Sequence, residues 1–173
     1  PHKRIKELIN RSLQADPAYS AIAQEKTWRS HHDPAAYRRP DVQADSAQGK
    51  LAFEVQLSTT FLNVVVGRRI FYRDEGALLI WIFGSFDPAY RRLMTDDVLF
   101  PNNSNLFVVD EETAEISEAR GKFHLRCHYR APLREGNTIT DEWREEIVVF
   151  TDLTQDRPGQ RAYAFDYEGE EAA

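Results

Sequence analysis

Two carboxylates and an amide stand at a spacing that could hold a metal ion. Asp41 follows Pro40, and Glu54 and Gln56 come thirteen and fifteen residues later. Apolar residues alternate strictly with others over residues 51–57, which is typical of a strand with one buried face. Glu54 and Gln56 then share the opposite face, with Cα atoms roughly 6.6 Å apart. The apolar positions are Leu51, Phe53, Val55 and Leu57.

A hairpin would bring the two carboxylates together. If its midpoint falls between Ala47 and Gln48, Asp41 lies directly opposite Glu54, about 4.5–5.5 Å away between Cβ atoms. Two negative charges at this distance repel each other, unless a cation lies between them. The spacing therefore predicts a divalent-metal site. The alternative is structural: Asp41 begins a strand after Pro40, and Glu54 and Gln56 face solvent.

Composition sets broad limits. A chain of 173 residues makes one domain, or one domain with an appendage. No apolar run approaches the roughly 18 residues of a membrane span, and the N-terminus is not a signal peptide, so we expect no membrane partner. The single Cys127 excludes an internal disulfide and favours the cytoplasm. With no initiator Met, we expect the chain to be a piece of a longer protein.

The charge is unevenly distributed. The net charge is −6, yet residues 1–50 hold nine Lys and Arg against six Asp and Glu. Residues 111–173 hold eight against fifteen. The acidic total gives no support for a strongly DNA-binding surface, but it leaves room for a local basic groove in the first third.

The elements before residue 84 follow from periodicity. Residues 5–13 predict an amphipathic helix that ends at Asp16-Pro17, and residues 21–28 predict a strand. Ser58-Thr59-Thr60 predicts a helix start, with one apolar face formed by Phe61, Leu62, Val65, Val66 and Ile70. Because residues 64–66 are all β-branched, a strand is the alternative prediction for this segment. The apolar run 77–83 predicts a strand buried on both faces.

The chain after residue 97 predicts mainly strands. Short β-rich segments, separated by turn residues, fall at Val98–Phe100, Leu106–Val109, Lys122–Tyr129, Glu146–Phe150 and Arg161–Tyr167. The aromatic residues of the C-terminal third, residues 111–173, are expected to pack in the core of a small β-layer, and a base-stacking surface is the alternative.

The order helix, three-strand meander with Pro-Asp and Glu-x-Gln, helix, strand resembles the PD-(D/E)XK (restriction-endonuclease-like) nuclease superfamily. The string Phe53-Glu54-Val55-Gln56-Leu57-Ser58, with Arg69, Tyr72 and Trp81-Ile82-Phe83, is similar to the nuclease-like domain of CoiA-type competence proteins. The resemblance covers residues 2 to about 110. It implies an α/β fold with a restriction-endonuclease-like core over 1–110 and a β-rich C-terminal extension over 111–173.

The resemblance also implies roles. Asp41, Glu54 and the carbonyl of Val55 would hold Mg²⁺ or Mn²⁺ for hydrolysis of phosphodiester bonds, with DNA the expected substrate. Gln56 takes the family's usual Lys position, where it can orient water but cannot act as a base. Glu25 and Glu7 are candidate auxiliary acids, with an ordinary exposed surface glutamate as the alternative for each.

A basic pair and an alternative function complete the expectations. Arg68 and Arg69 are candidate phosphate contacts, with ordinary helix solvation as the alternative.

Because Gln56 departs from the pattern and the C-terminal third is acidic, the second hypothesis is a degenerate nuclease fold that binds nucleic acid or protein without cleavage.

Two other clusters of metal-binding residue types predict no site. His31, His32 and Asp33 lie in one polar loop and lack a further ligand. His124 and His128 would share a strand face from which Cys127 points away.

Overall fold

The computed structural model describes residues 1–56, 62–91 and 93–172. The predicted helix start at residues 58–60, together with Leu57 and Phe61, lies outside the described residues. The helices are α1 (His2–Gln14), α2 (Leu62–Asp74), α3 (Leu93–Leu99), α4 (Glu111–Arg120) and α5 (Tyr167–Ala172). Short 3-10 turns lie at Pro88–Tyr90, Phe100–Asn102 and Phe150–Asp152.

Most of the strands belong to one sheet. They are β1 (Ser20–Gln24), β2 (Trp28–Arg29), β3 (Tyr37–Arg38), β4 (Val42–Ser46), β5 (Gly49–Gln56), β6 (Leu78–Phe83), β7 (Asn105–Val108), β8 (His124–Glu135), β9 (Thr138–Val149), β10 (Thr154–Asp156) and β11 (Arg161–Tyr163). Seven of them form a sheet in the order β1-β4-β5-β6-β7-β8-β9, while β2 pairs with β3 and β10 with β11.

The large sheet is mixed. Strands β5, β6 and β7 are parallel to one another, and every other neighbouring pair is antiparallel. The fold is therefore mixed α/β, with a large, mostly antiparallel sheet and helices. β8 and β9 continue this sheet beyond residue 110 as one long hairpin.

Helices cover both faces of the sheet. On one face, α1 and α4 pack against the strands, with Ile9, Ala114 and Phe53 in one apolar core. On the other face, α2 and α3 pack over β6, with Val65, Val98 and Trp81 in a second core. The predicted strand at residues 77–83 is confirmed, since β6 is buried along its whole length between these layers. Among the described residues, no helix is both long and apolar enough to cross a membrane.

Several sequence predictions were wrong because they followed local hydrophobicity. β5 is buried on both faces rather than one, since α2 covers the Glu54 side. The helix predicted through residues 64–66 is confirmed as part of α2, which excludes the strand alternative. The apolar positions Leu62, Val66 and Ile70 of α2 are largely exposed, and the sheet-facing residues are Val65 and Tyr72.

The C-terminal third contains helices that the sequence reading missed. Residues 98–100 close α3 and enter a 3-10 turn instead of forming a strand. Residues 111–120 form α4, which begins with a capping box between Asp110 and Thr113 and ends at Gly121 in the left-handed conformation. The predicted strand Arg161–Tyr167 ends at Tyr163, and Tyr167 begins α5.

Candidate functional site

The β4–β5 hairpin has the predicted register. Val42 pairs with Phe53 and Ser46 with Gly49, so the midpoint lies between Ala47 and Gln48. Asp41, one residue before Val42, therefore stands opposite Glu54. Its Oδ2 also accepts a hydrogen bond from the main-chain N–H of Val55 at 2.7 Å, which fixes the carboxylate at the end of β5.

The two carboxyl groups are buried and in contact. Asp41 is 9% exposed and Glu54 6% exposed, and a side-chain hydrogen bond joins them. Burial, together with the negative charge of Asp41, raises the pKa of Glu54 to about 7. Two carboxyl groups can share a hydrogen bond only through a proton, and Glu54 with a pKa of about 7 carries that proton about half of the time at pH 7.

Helix α2 positions Glu54. The hydroxyl of Tyr72 donates to Oε1 at 3.3 Å, and Nη1 of Arg68 lies 3.5 Å from Oε2. The Arg68 guanidinium also stacks over the Trp81 ring at 5.6 Å, which holds it above the strand next to Glu54. Charge from Arg68 and the Tyr72 hydrogen bond both favour the ionised form of Glu54, but burial outweighs them.

Helix α1 positions Asp41 through a lysine that the sequence reading did not select. Lys6 Nζ lies 3.2 Å from Asp41 Oδ1 and 2.5 Å from Glu25 Oε1. The Lys6 side chain is only 11% exposed. Burial opposes its charge, but the hydrogen bonds to Glu25 and Asp41 prevail and raise the pKa of Lys6. The ammonium group is thus a permanent positive charge beside the carboxyl pair.

His2 lies one helical turn before Lys6 and closes the same side of the site. Its Nε2 lies 3.1 Å from the Val55 carbonyl oxygen and 3.6 Å from Asp41 Oδ2. A carbonyl oxygen can only accept, so this contact requires a hydrogen on Nε2. The carbonyl predicted as a third metal ligand is therefore engaged by a histidine in this arrangement.

The remaining predicted residues lie at different depths. Gln56 is buried at the end of β5, on the same strand face as Glu54. Glu25 lies at the rim, 54% exposed, where its ion pair with Lys6 lowers its pKa. Glu7 lies on α1 and pairs with Arg4 at 3.5 Å, so its contact is within the helix.

Arg68 and Arg69 do not act as a pair. Adjacent helix positions point about 100° apart, and only Arg68 reaches Glu54. Arg69 donates instead to the main-chain carbonyl of Gly159 at 3.3 Å, on another side of α2.

Other potential metal-binding types are used for structure. His31 bonds to the buried carboxylate of Glu75 at 2.7 Å, and His32 Nε2 contacts the Asp74 carbonyl at 3.0 Å. His128 packs against Phe86 while Cys127 lies in the opposite core. Within residues 1–56, 62–91 and 93–172, no three His, Cys, Asp or Glu side chains cluster in a metal-binding arrangement.

The residues that sequence reasoning missed share one signal. His2 and Lys6 are four apart in α1, so both side chains lie on one flank of the helix. That flank borders the apolar stripe, where a long side chain can reach past the helix to the sheet. Which strand end they meet depends on how α1 packs.

Comparison with known proteins places the chain in a family. No curated protein sequence and no solved structure matches it. A family model described as a domain of unknown function, DUF6035, matches residues 1–168. Since that match spans nearly all of its 173 residues, the chain belongs to the DUF6035 family.

Proposed function

We propose that this protein is a divalent-metal-dependent nuclease of the PD-(D/E)XK type that hydrolyses phosphodiester bonds in DNA. The observation that carries the proposal is the buried Asp41–Glu54 pair, in which burial and mutual repulsion raise the pKa of Glu54 to about 7. A buried pair of acids is unfavourable for folding, and strongly shifted pKa values concentrate at functional sites.

The order of elements supports a restriction-endonuclease-like core. α1 is followed by β1, β4 and β5, which form an antiparallel meander, then by α2, and then by β6 parallel to β5. The carboxyl pair lies where the second and third strands of this meander meet. The small β2–β3 pair is an insertion between the first two strands.

The residues present fit a hard divalent cation. Asp41, Glu54 and the Val55 carbonyl offer oxygen ligands, which Mg²⁺ and Mn²⁺ prefer, and Mg²⁺ in particular usually retains several waters. The proton shared by the carboxyls is the group that such an ion would replace. When bound, the ion would neutralise charge on the phosphoryl oxygens and activate a water.

The protein's own side chains would orient this site. The Val55 N–H holds Asp41, while Tyr72 and Arg68 hold Glu54. Gln56 can position a water molecule by hydrogen bonds, but it brings no charge. Lys6 supplies a fixed positive charge 3.2 Å from Asp41, on the α1 side, and we assign it the charge-offsetting role that Gln56 cannot fill.

A second function is favoured by the contacts that the site already makes within the protein. His2 already occupies the Val55 carbonyl, and Lys6 and the shared proton already offset the charge of the acids. This is the arrangement of a site that needs no ion to be stable. It supports a nuclease-like module that binds nucleic acid or protein without cleavage.

The experiment that separates the two functions is a cleavage assay on single- and double-stranded DNA with Mg²⁺ or Mn²⁺. If the protein is a nuclease, the wild type should cleave DNA, and Asp41→Asn and Glu54→Gln should lose this cleavage. Asp45→Asn is the matched control, because Asp45 is an exposed acid on β4 that pairs with Lys50. Wild-type protein that binds DNA but cleaves neither form would favour the binding module.

A further inference from the structure

Helix α2 also borders a cleft that lies away from the carboxyl pair. This cleft, of about 290 Å³, separates α2 from the turn at residues 158–160. Its walls combine two guanidinium groups with an apolar surface and contain no acidic residue. The lining residues are Val66, Arg69, Ile70, Arg73, Pro158, Gly159 and Gln160.

Arg69 is the unusual member of this cleft. Burial lowers its pKa, and the positive charges of Arg161 and Arg73 lower it further. Its hydrogen bond goes to the neutral Gly159 carbonyl, and among the described residues no carboxylate forms an ion pair with it. A partly buried cation without an anion is unfavourable for folding, which points to a ligand that supplies the negative charge.

The two neighbouring arginines are already paired. Arg73 lies 3.4 Å from Asp74 Oδ1, and Arg161 lies 2.6 Å from Glu168 and 3.6 Å from Asp156. Their charges are therefore offset locally, whereas that of Arg69 is not. The hydrogen bond to the Gly159 carbonyl holds the Arg69 guanidinium at the cleft wall.

We infer that this cleft binds a phosphate group of a polynucleotide strand, with Arg69 as its charged donor. The inference rests on the proposed function, because it assigns the path of the same substrate. Arg68 and Arg69 are adjacent on one helix whose diameter is about 10–12 Å with side chains, so a strand that passes Glu54 reaches the cleft across one helix width. The apolar walls formed by Val66 and Ile70 suit the sugar and base beside that phosphate.

Fluorescence anisotropy with a labelled DNA oligonucleotide, single-stranded and as a duplex, tests this inference. The buffer contains chelator, so that metal-dependent cleavage cannot occur. Arg69→Gln is expected to weaken binding about tenfold or more, the size of one charge-assisted hydrogen bond, and to reduce the salt dependence by about one counterion. Arg69→Lys should keep the salt dependence, because it keeps the charge.

The matched control is Arg120→Gln, which removes the same charge from exposed Arg120 at the end of α4, on the opposite face of the sheet. It should bind like the wild type. Thermal melting checks that each variant folds. If Arg69→Gln fails to fold, the half-exposed Arg73 replaces it, and Arg73→Gln should weaken binding at least about threefold.

The outcomes separate this inference from the nuclease proposal. Unchanged binding in Arg69→Gln, or no DNA binding by the wild type, would overturn the inference even if the protein cleaves DNA. Thermal stabilisation by inorganic phosphate that depends on Arg69, without any DNA binding, would also overturn the polynucleotide assignment. DNA binding that depends on Arg69, in a protein that does not cleave DNA, would support phosphate binding in the cleft and would contradict the proposed nuclease activity.

Discussion

Glu54 shares a hydrogen bond with Asp41 across the β4–β5 hairpin, and its pKa is raised to about 7. The pair differs from a solvated sheet face in three ways: both acids are buried, both are held by further donors, and a lysine from α1 contacts one of them. These features make the site sensitive to pH in a defined direction.

The contribution of Glu54 to the stability of the metal-free protein is expected to fall between about pH 4.5 and pH 7. The folded-state pKa of Glu54 exceeds its ordinary value of 4.5, so in this window Glu54 is more protonated in the folded protein than in the unfolded chain. The stability from the neutral carboxyl is present in full below about pH 4.5 and is lost as the pH rises through 7. Glu54→Gln cannot ionise and should remove this loss.

Urea denaturation in chelator at pH 5, 6, 7 and 8 measures this effect. Glu54→Gln should exceed the wild type by up to about 3 kcal/mol at pH 8 and by little at pH 5, from 1.36 kcal/mol per pKa unit. Asp45→Asn should follow the wild type. Parallel pH profiles for the wild type and Glu54→Gln would show that the carboxyl is not shifted.

Replacing Lys6 should separate catalysis from metal affinity. Lys6→Gln removes a positive charge beside Asp41, which lowers repulsion toward a divalent cation and should leave metal affinity unchanged or higher. It should lower kcat by about tenfold or more, because charge stabilisation near the phosphate is lost. Cleavage rates and Mn²⁺ titrations measure the two quantities.

Lys3→Gln is the control for this change, since Lys3 is an exposed residue on the same helix. It should alter neither quantity. A Lys6→Gln protein that folds and cleaves like the wild type would remove Lys6 from the site. If metal affinity and kcat fall together, Lys6 has only a structural role.

Gln56 should tolerate a lysine better than an alanine. Gln56→Lys restores positive charge beside Glu54 and should preserve or raise cleavage, whereas Gln56→Ala removes the water-orienting amide and should lower it. Metal affinity should change little in Gln56→Ala. Initial rates on one DNA substrate compare the three proteins, and equal rates would mean that Gln56 has no role in the reaction.

The hairpin could be read from sequence because its information is local. Strict alternation over residues 51–57 and a short turn determine the register, and the observed pairing of Val42 with Phe53 agrees with it. The continuous apolar run of β6 was similarly informative. In β6 the local pattern and the tertiary environment agree, whereas in β5 they agree on the register but not on the second buried face.

The features that could not be predicted from the sequence depend on how the helices pack against the sheet. Val65 belongs to the predicted apolar face of α2 and packs against the sheet together with Tyr72, but Val66 and Ile70 of the same predicted face stay exposed. α4 has almost no apolar face, so hydrophobic periodicity could not reveal it; its capping residues Asp110 and Thr113 were the available signal. Lys6 was not selected from the sequence, because only the docking of α1 brings it to Asp41.

Mn²⁺ binding near pH 7 tests the role of the carboxyl pair most directly. Calorimetric titration in two buffers with different ionisation enthalpies gives the affinity and the number of protons released. The wild type should bind one Mn²⁺ per chain and release about half a proton at pH 7, since Glu54 with a pKa of about 7 is half protonated. Glu54→Gln and Asp41→Asn should lose binding, and Asp45→Asn should keep it. No Mn²⁺ binding by the wild type, or equal binding by Glu54→Gln, would contradict a metal site at this pair.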